Sequence, residues 1–120
     1  MSVVKILQNE TWENICSTDD LIPDSGICAL VNDQQVAIFH LPGEDTPLYA
    51  LGNWDPIGQA NVMSRGILGS LGGELVVASP LYKQHYSLAT GACLEQPEHT
   101  LDSYGIRVVD DSVQVLVATG

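Results

Sequence analysis

The sequence predicts an all-β domain of about nine short strands, arranged as antiparallel sheets in a sandwich or small barrel with a two-loop subdomain at one end. Three observations predict it. Short apolar runs rich in Val, Ile, Leu and Tyr recur along the chain, bounded by clusters of Gly, Pro, Asn, Asp and Ser. The C-terminal stretch Tyr104 to Val117 carries two alternating runs around Asp110-Asp111, the pattern of a hairpin. Finally, two turn-rich segments each follow a β-type run, Leu48 to Leu51 and Leu75 to Ala78, so each caps a strand.

Trp12 to Cys16 alternates well enough for a first strand. Ser17-Thr18-Asp19-Asp20 then supplies capping side chains, which predicts one helical turn at Leu21-Ile22 before Pro23. Asp24-Ser25-Gly26 is a turn. Ile27 to Val31 and Gln35 to His40 flank a polar Asn32-Asp33-Gln34 tip and predict a hairpin, with Cys28 a small core residue inside it. Leu41 to Pro47 is a loop, because Pro47 excludes a regular central strand there. Leu48 to Leu51 resumes the sheet.

Gln59 to Gly73 shows little β signal and four glycines, and is expected to be a long connection. Leu75 to Ala78 leads into the second loop, Tyr86 to Leu88 returns from it, and Ala92 to His99 is irregular. In the terminal hairpin Ile106 and Val108 share one side, and Val113, Val115 and Val117 share a face. Each such valine, once buried, stabilises by roughly 1.5–3 kcal/mol before entropy is counted.

One domain spanning 1–120 is the sensible count at this length, and roughly two-thirds of the unfolded surface would be buried. Fifteen acidic residues against four basic ones give a formal net charge of −11. That charge repels phosphate backbones and anionic lipid, so nucleic acid and membrane surfaces are excluded as partners. It keeps a small protein soluble, or meets a basic patch on a partner and speeds encounter. The odd set Cys16, Cys28 and Cys93 fits no zinc or Cys-x-x-Cys spacing. With no secretory leader and no apolar stretch near the roughly 20 residues a bilayer requires, the expectation is a cytoplasmic chain.

The first loop reads Asn53-Trp54-Asp55-Pro56-Ile57-Gly58 and the second runs from Ser79-Pro80-Leu81-Tyr82 to Thr90-Gly91. The second resembles the cluster-binding box of Rieske proteins, Cys-Pro-x-His with an aromatic four positions on and a Thr-Gly turn. Ser79, Pro80, Tyr82, Tyr86, Thr90 and Gly91 stand in that register. The first resembles the matching Cys-x-His box, with Asn53 and Asp55 in the ligand positions. A Rieske [2Fe–2S] centre needs two thiolates and two imidazoles. Asn53, Asp55, Ser79 and Tyr82 supply neither, so these are degenerate ligand positions, and no metal or cofactor is expected on this chain.

More closely, the chain resembles the small subunit of cytoplasmic NAD(P)H-dependent nitrite reductase. The boxes Asn53-Trp54-Asp55-Pro56, Ser64-Arg65-Gly66-Ile67 and Ser79-Pro80-Leu81-Tyr82-Lys83-Gln84 carry that resemblance, together with Ala37-Ile38-Phe39 and Gly91 to Glu95. It implies a Rieske-like fold and an accessory role beside a large subunit that carries FAD, an iron–sulfur cluster and sirohaem and reduces nitrite to ammonium. A stand-alone, cluster-free binding module for a small ligand or another protein is the alternative.

The chain has no nucleophile elbow, phosphate-binding glycine motif or His-Glu-x-x-His, so no catalytic residue is expected. His40, His85 and His99 share no ligand spacing. His85 is an exposed loop imidazole, or lines a contact surface and titrates near neutral pH. In the emptied frame, Asn53, Asp55, Ser79 and Tyr82 are expected to replace metal bonds by mutual hydrogen bonds, with Trp54 as an apolar plug. Arg65 is an internal charge partner or a contact to another subunit. With Trp54, Tyr82 and Lys83 it forms the candidate partner-contact set, because Arg, Trp and Tyr concentrate at the energetic centres of interfaces.

Overall fold

The computed structural model describes residues 10–118. Its strands, in chain order, are β1 (Glu10–Ser17), β2 (Ser25–Val31), β3 (Gln34–His40), β4 (Leu48–Gly52), β5 (Trp54–Asp55) and β6 (Ala60–Asn61). They continue with β7 (Ile67–Leu71), β8 (Glu74–Ala78), β9 (His85–Ser87), β10 (Ser103–Tyr104), β11 (Ile106–Val109) and β12 (Ser112–Ala118). Among the described residues twelve strands replace the nine expected, largely because two-residue pairs such as β5 and β6 are too short to leave a periodic signal.

All strand pairing among the described residues is antiparallel. The sheets have the orders β1-β12-β11, β10-β4-β3-β2, β5-β6 and β7-β8-β9, and none closes into a barrel.

β3 is the centre of the molecule. Its run Val36-Ala37-Ile38-Phe39 is buried at every position, so both faces of the strand meet protein. Val36 and Ile38 pack with Ala50, Val115 and Val117, joining the second sheet to β12. Ala37 and Phe39 pack with Leu51, Met63, Val77, Tyr86 and Leu88, joining the opposite face to β8 and β9. The result is three layers with two cores, each filled from one side of β3.

Three two-residue hairpins set the register. Asn32-Asp33 (φ 50° and 64°), Gly72-Gly73 (60° and 84°) and Asp110-Asp111 (50° and 65°) all take the left-handed pair that matches strand twist. Gln34 pairs with Val31, so the first tip is two residues, shorter than expected. The Gln59–Gly73 segment is also no open connection: it holds β6, a 3₁₀ turn at Met63–Arg65 and β7. The other 3₁₀ turn covers Thr18–Asp20, earlier than Leu21-Ile22. The Ser17 hydroxyl accepts from the Asp19 N–H, and the Asp20 carboxylate accepts from the Ser17 N–H, so the turn starts at its cap.

Cys28 is exposed, against expectation. In β2 the period of two turns Val31 inward, and Cys28 and Leu30 outward.

Candidate functional site

Both boxes lie where β4 and β8 end. The first loop leaves β4 at Gly52, forms β5, and is folded back by the pairing of Trp54 with Asn61 and Asp55 with Ala60. The second leaves β8 and returns as β9. Its neck is closed by the Ser79 N–H bonding to the Gln84 carbonyl at 2.9 Å and the Lys83 N–H to the Ser79 carbonyl at 3.0 Å.

Asp55 joins the two loops and is fully buried. Its Oδ2 accepts from the Ser79 hydroxyl at 2.5 Å. Its Oδ1 accepts from the backbone N–H groups of Ile57 (2.9 Å) and Gly58 (3.0 Å) and from the Tyr86 hydroxyl (3.2 Å). Ser79 is likewise fully buried, and its oxygen also accepts from the Leu81 N–H at 3.2 Å. Burial alone would push the Asp55 carboxyl up, but the donors from Ser79, Gly58, Ile57 and Tyr86 outweigh it and hold Asp55 below the ordinary carboxylate value. Burial and the neighbouring Asp55 charge push the Tyr86 phenol well above its ordinary value, so Tyr86 stays a donor. The arrangement is a carboxylate-centred clasp.

Asn53 is buried in a second, separate set of bonds. Its Nδ2 donates to Gln35 Oε1 at 3.0 Å and approaches Cys28 Sγ at 3.5 Å, while its Oδ1 accepts from the Ser64 N–H at 2.7 Å. Asn53 therefore ties the first loop to β3 and to the 3₁₀ turn. Tyr82 joins neither set: it is 63% exposed. The expected four-residue network is thus corrected. Asp55 and Ser79 meet, Asn53 bonds elsewhere, and Tyr86 supplies the phenol in place of Tyr82. The available signal for Tyr86 was its place as the aromatic four positions after Tyr82.

Trp54 is not a plug. It is 49% exposed, because Asp55 points inward and its strand neighbour must point out. Tyr86, Met63 and Leu88 fill the space beneath the loops instead.

Arg65, Tyr82 and Lys83 are exposed with Trp54, and among the described residues Arg65 makes no ion pair. Arg107 stacks 4.1 Å over the Trp12 ring, away from the loops. His85 Nδ1 lies 2.6 Å from Glu95 Oε2, so the imidazole has a carboxylate partner. Burial raises the Glu95 carboxyl, but the hydrogen bonds from the backbone N–H and imidazole of His85 and from its own backbone N–H together outweigh this and leave it below its ordinary value. Burial pushes the thiols of Cys16 and Cys93 up, and the sulfur of the otherwise exposed Cys28, partly covered beside Asn53, is pushed the same way.

The residues at the two boxes do not fit a [2Fe–2S] cluster. They offer an amide, a carboxylate, a hydroxyl and a phenol where thiolates and imidazoles are required. The Asp55–Ser79 hydrogen bond, moreover, brings two of the four positions into direct contact. Among the described residues no group of three His, Cys, Asp or Glu side chains could hold a metal ion.

Three stacked antiparallel layers with two facing loops define a Rieske-like domain. The family model described as "Rieske-like [2Fe-2S] domain" matches residues 11–116, and the chain belongs to that family. It is 43% identical over 104 residues to the nitrite reductase (NADH) small subunit of Escherichia coli K12, covering 87% of this chain and 95% of the relative. The solution structure of the E. coli protein NirD superposes with a TM-score of 0.83 at 40% identity, covering 92% of this chain and all of that one. A nitrite reductase [NAD(P)H] large subunit from Klebsiella oxytoca is 37% identical over 109 residues, which are 91% of this chain and 11% of that protein. Among the described residues no helix is long and apolar enough to cross a membrane.

Proposed function

We propose that this chain is the small, accessory subunit of a cytoplasmic NAD(P)H-dependent nitrite reductase, with no cofactor and no catalytic group of its own. It supports the reduction of nitrite to ammonium by a large subunit, on which the resemblance places FAD, an iron–sulfur cluster and sirohaem. The near end-to-end match to a nitrite reductase small subunit carries this reading. The K. oxytoca large subunit supports it further, because a domain similar to this one is there part of the large chain itself.

The chemistry left to the chain is positional. The clasp holds both loops with protein hydrogen bonds, so the end of the domain is shaped without iron. Around it Trp54, Arg65, Tyr82 and Lys83 are free to meet the large subunit. Leu81, 44% exposed, adds apolar surface beside Tyr82. Exposed aromatic and Arg side chains around a rigid frame suit an interface better than a small-molecule site.

Co-elution tests the assignment. Purified chain and purified large subunit, mixed and passed through a sizing column, are expected to elute together. Separate elution at micromolar concentrations would remove the subunit reading.

A further inference from the structure

A groove of about 320 Å³ lies beside the first loop, outside the Asp55 clasp. Two exposed apolar side chains line it: Leu30 (71% exposed) from β2 and Trp54 (49%) from β5. Asp33, in the β2–β3 turn, and Asp102, just before β10, bring carboxylates, and Gln35 and Tyr104 bring further polar atoms. Among the described residues neither Asp33 nor Asp102 has a cationic partner, and no lysine or arginine lines the groove. Exposed apolar side chains and carboxylates lining one groove suit a long aliphatic stem that ends in a positive charge. Such a stem would pack on Leu30 and the indole, and its cation would be attracted both by the carboxylates and by the face of Trp54.

We infer that this groove receives an arginine or lysine side chain presented by the reductase large subunit, and that it fixes the small subunit's orientation on its partner. The inference rests on the subunit reading above and adds the place and chemistry of the contact. Charge complementarity selects the occupant: the chain carries a net charge of −11, and this groove concentrates acidic groups beside exposed apolar surface. Burial, and secondarily the charge of Asp102, push the Tyr104 phenol up, so it remains a hydrogen-bond donor to Gln34 Oε1 at 3.0 Å at the groove's edge.

The test compares two charge-matched double variants for binding to the purified large subunit. Asp33→Asn with Asp102→Asn empties the groove of charge. Asp110→Asn with Asp111→Asn removes the same charge from the β11–β12 turn, at the far end of β12. All three turn positions have positive φ, which Asn tolerates, and Asp102 is exposed, so both variants should fold.

The groove pair is expected to bind about tenfold more weakly at low salt, with the gap narrowing as ionic strength rises, and the control pair to stay within about twofold of the parent. Trp54→Ala is expected to weaken binding by a similar factor without the salt dependence. Equal affinity for the groove and control pairs would overturn the groove assignment while leaving the subunit reading standing. Failure of the parent chain to bind would overturn both.

Discussion

The Ser79 hydroxyl donates to the Asp55 carboxylate at 2.5 Å, bridging two loops whose members lie 24 positions apart in sequence. Both side chains are fully buried. This bond spans the two boxes at which a Rieske protein places its cluster, so protein atoms join loops that iron and sulfur would otherwise connect.

Ser79→Ala leaves Asp55 Oδ2 without its donor in a buried position and removes the acceptor of the Leu81 N–H. The expected cost is roughly 1–3 kcal/mol. Tyr86→Phe should cost less, about 1 kcal/mol, because Oδ1 keeps two backbone donors. Urea unfolding of both variants checks the order. A larger loss for Tyr86→Phe would mean that the phenol anchors the carboxylate.

Asp55 also predicts an acid limb to stability. Its folded carboxyl titrates below its unfolded value, since the folded state favours the charged form. That contribution is complete above the unfolded value of about 3.9. It disappears as pH falls from there through the folded value. Acid unfolding followed by circular dichroism should show this loss in the parent and a flatter limb in Asp55→Asn, which starts less stable at neutral pH. Parallel limbs would show that other carboxylates govern acid unfolding. At the alkaline end Tyr86 has the opposite sign: its raised value makes its contribution complete below the ordinary phenol range and lost as pH climbs through and above it.

The legible parts of the fold were those with strong local chemistry. Asn32-Asp33 and Asp110-Asp111 tolerate the left-handed conformation and sit between alternating apolar runs, so both hairpins could be read directly. The β7–β8 hairpin could not. Ile67-Leu68-Gly69-Ser70-Leu71 lacks alternation and has a single β-branched residue, and its Gly72-Gly73 turn merges with the glycines around it. At the site, the two boxes located the loops, but the partners of Asp55 depend on tertiary placement. Strict use of the two-residue period from Val31 turns Cys28 outward, whereas the outward Trp54 follows only from the buried Asp55 beside it, a burial that a charged side chain does not announce in sequence.

Gly91 and Gly73 separate conformation from packing. Both have positive φ, at 83° and 84°. A methyl at Gly91 would strike the backbone carbonyl of Leu101, whereas at Gly73 it would meet nothing within 4 Å. Gly73→Ala is expected to cost about 1 kcal/mol from backbone conformation alone. Gly91→Ala should cost about 2–4 kcal/mol, because the second loop must shift as well. Thermal unfolding of the pair measures the difference, and equal losses would show that the loop yields freely.

Arg65→Ala and Tyr82→Ala remove exposed side chains with little role in the fold, so stability should change by less than about 0.5 kcal/mol. If the loop end meets the large subunit, each should weaken binding by about tenfold. Calorimetric titration reads both effects. Unchanged affinity for either variant removes that residue from the contact set.

The most direct test of the account is the rate of NAD(P)H-dependent nitrite reduction by the purified large subunit, with and without this chain. The account predicts a clear gain in rate or in working lifetime when the chain is added, obtained with iron-free small subunit. No gain, or a gain only with small subunit that carries iron, would contradict it.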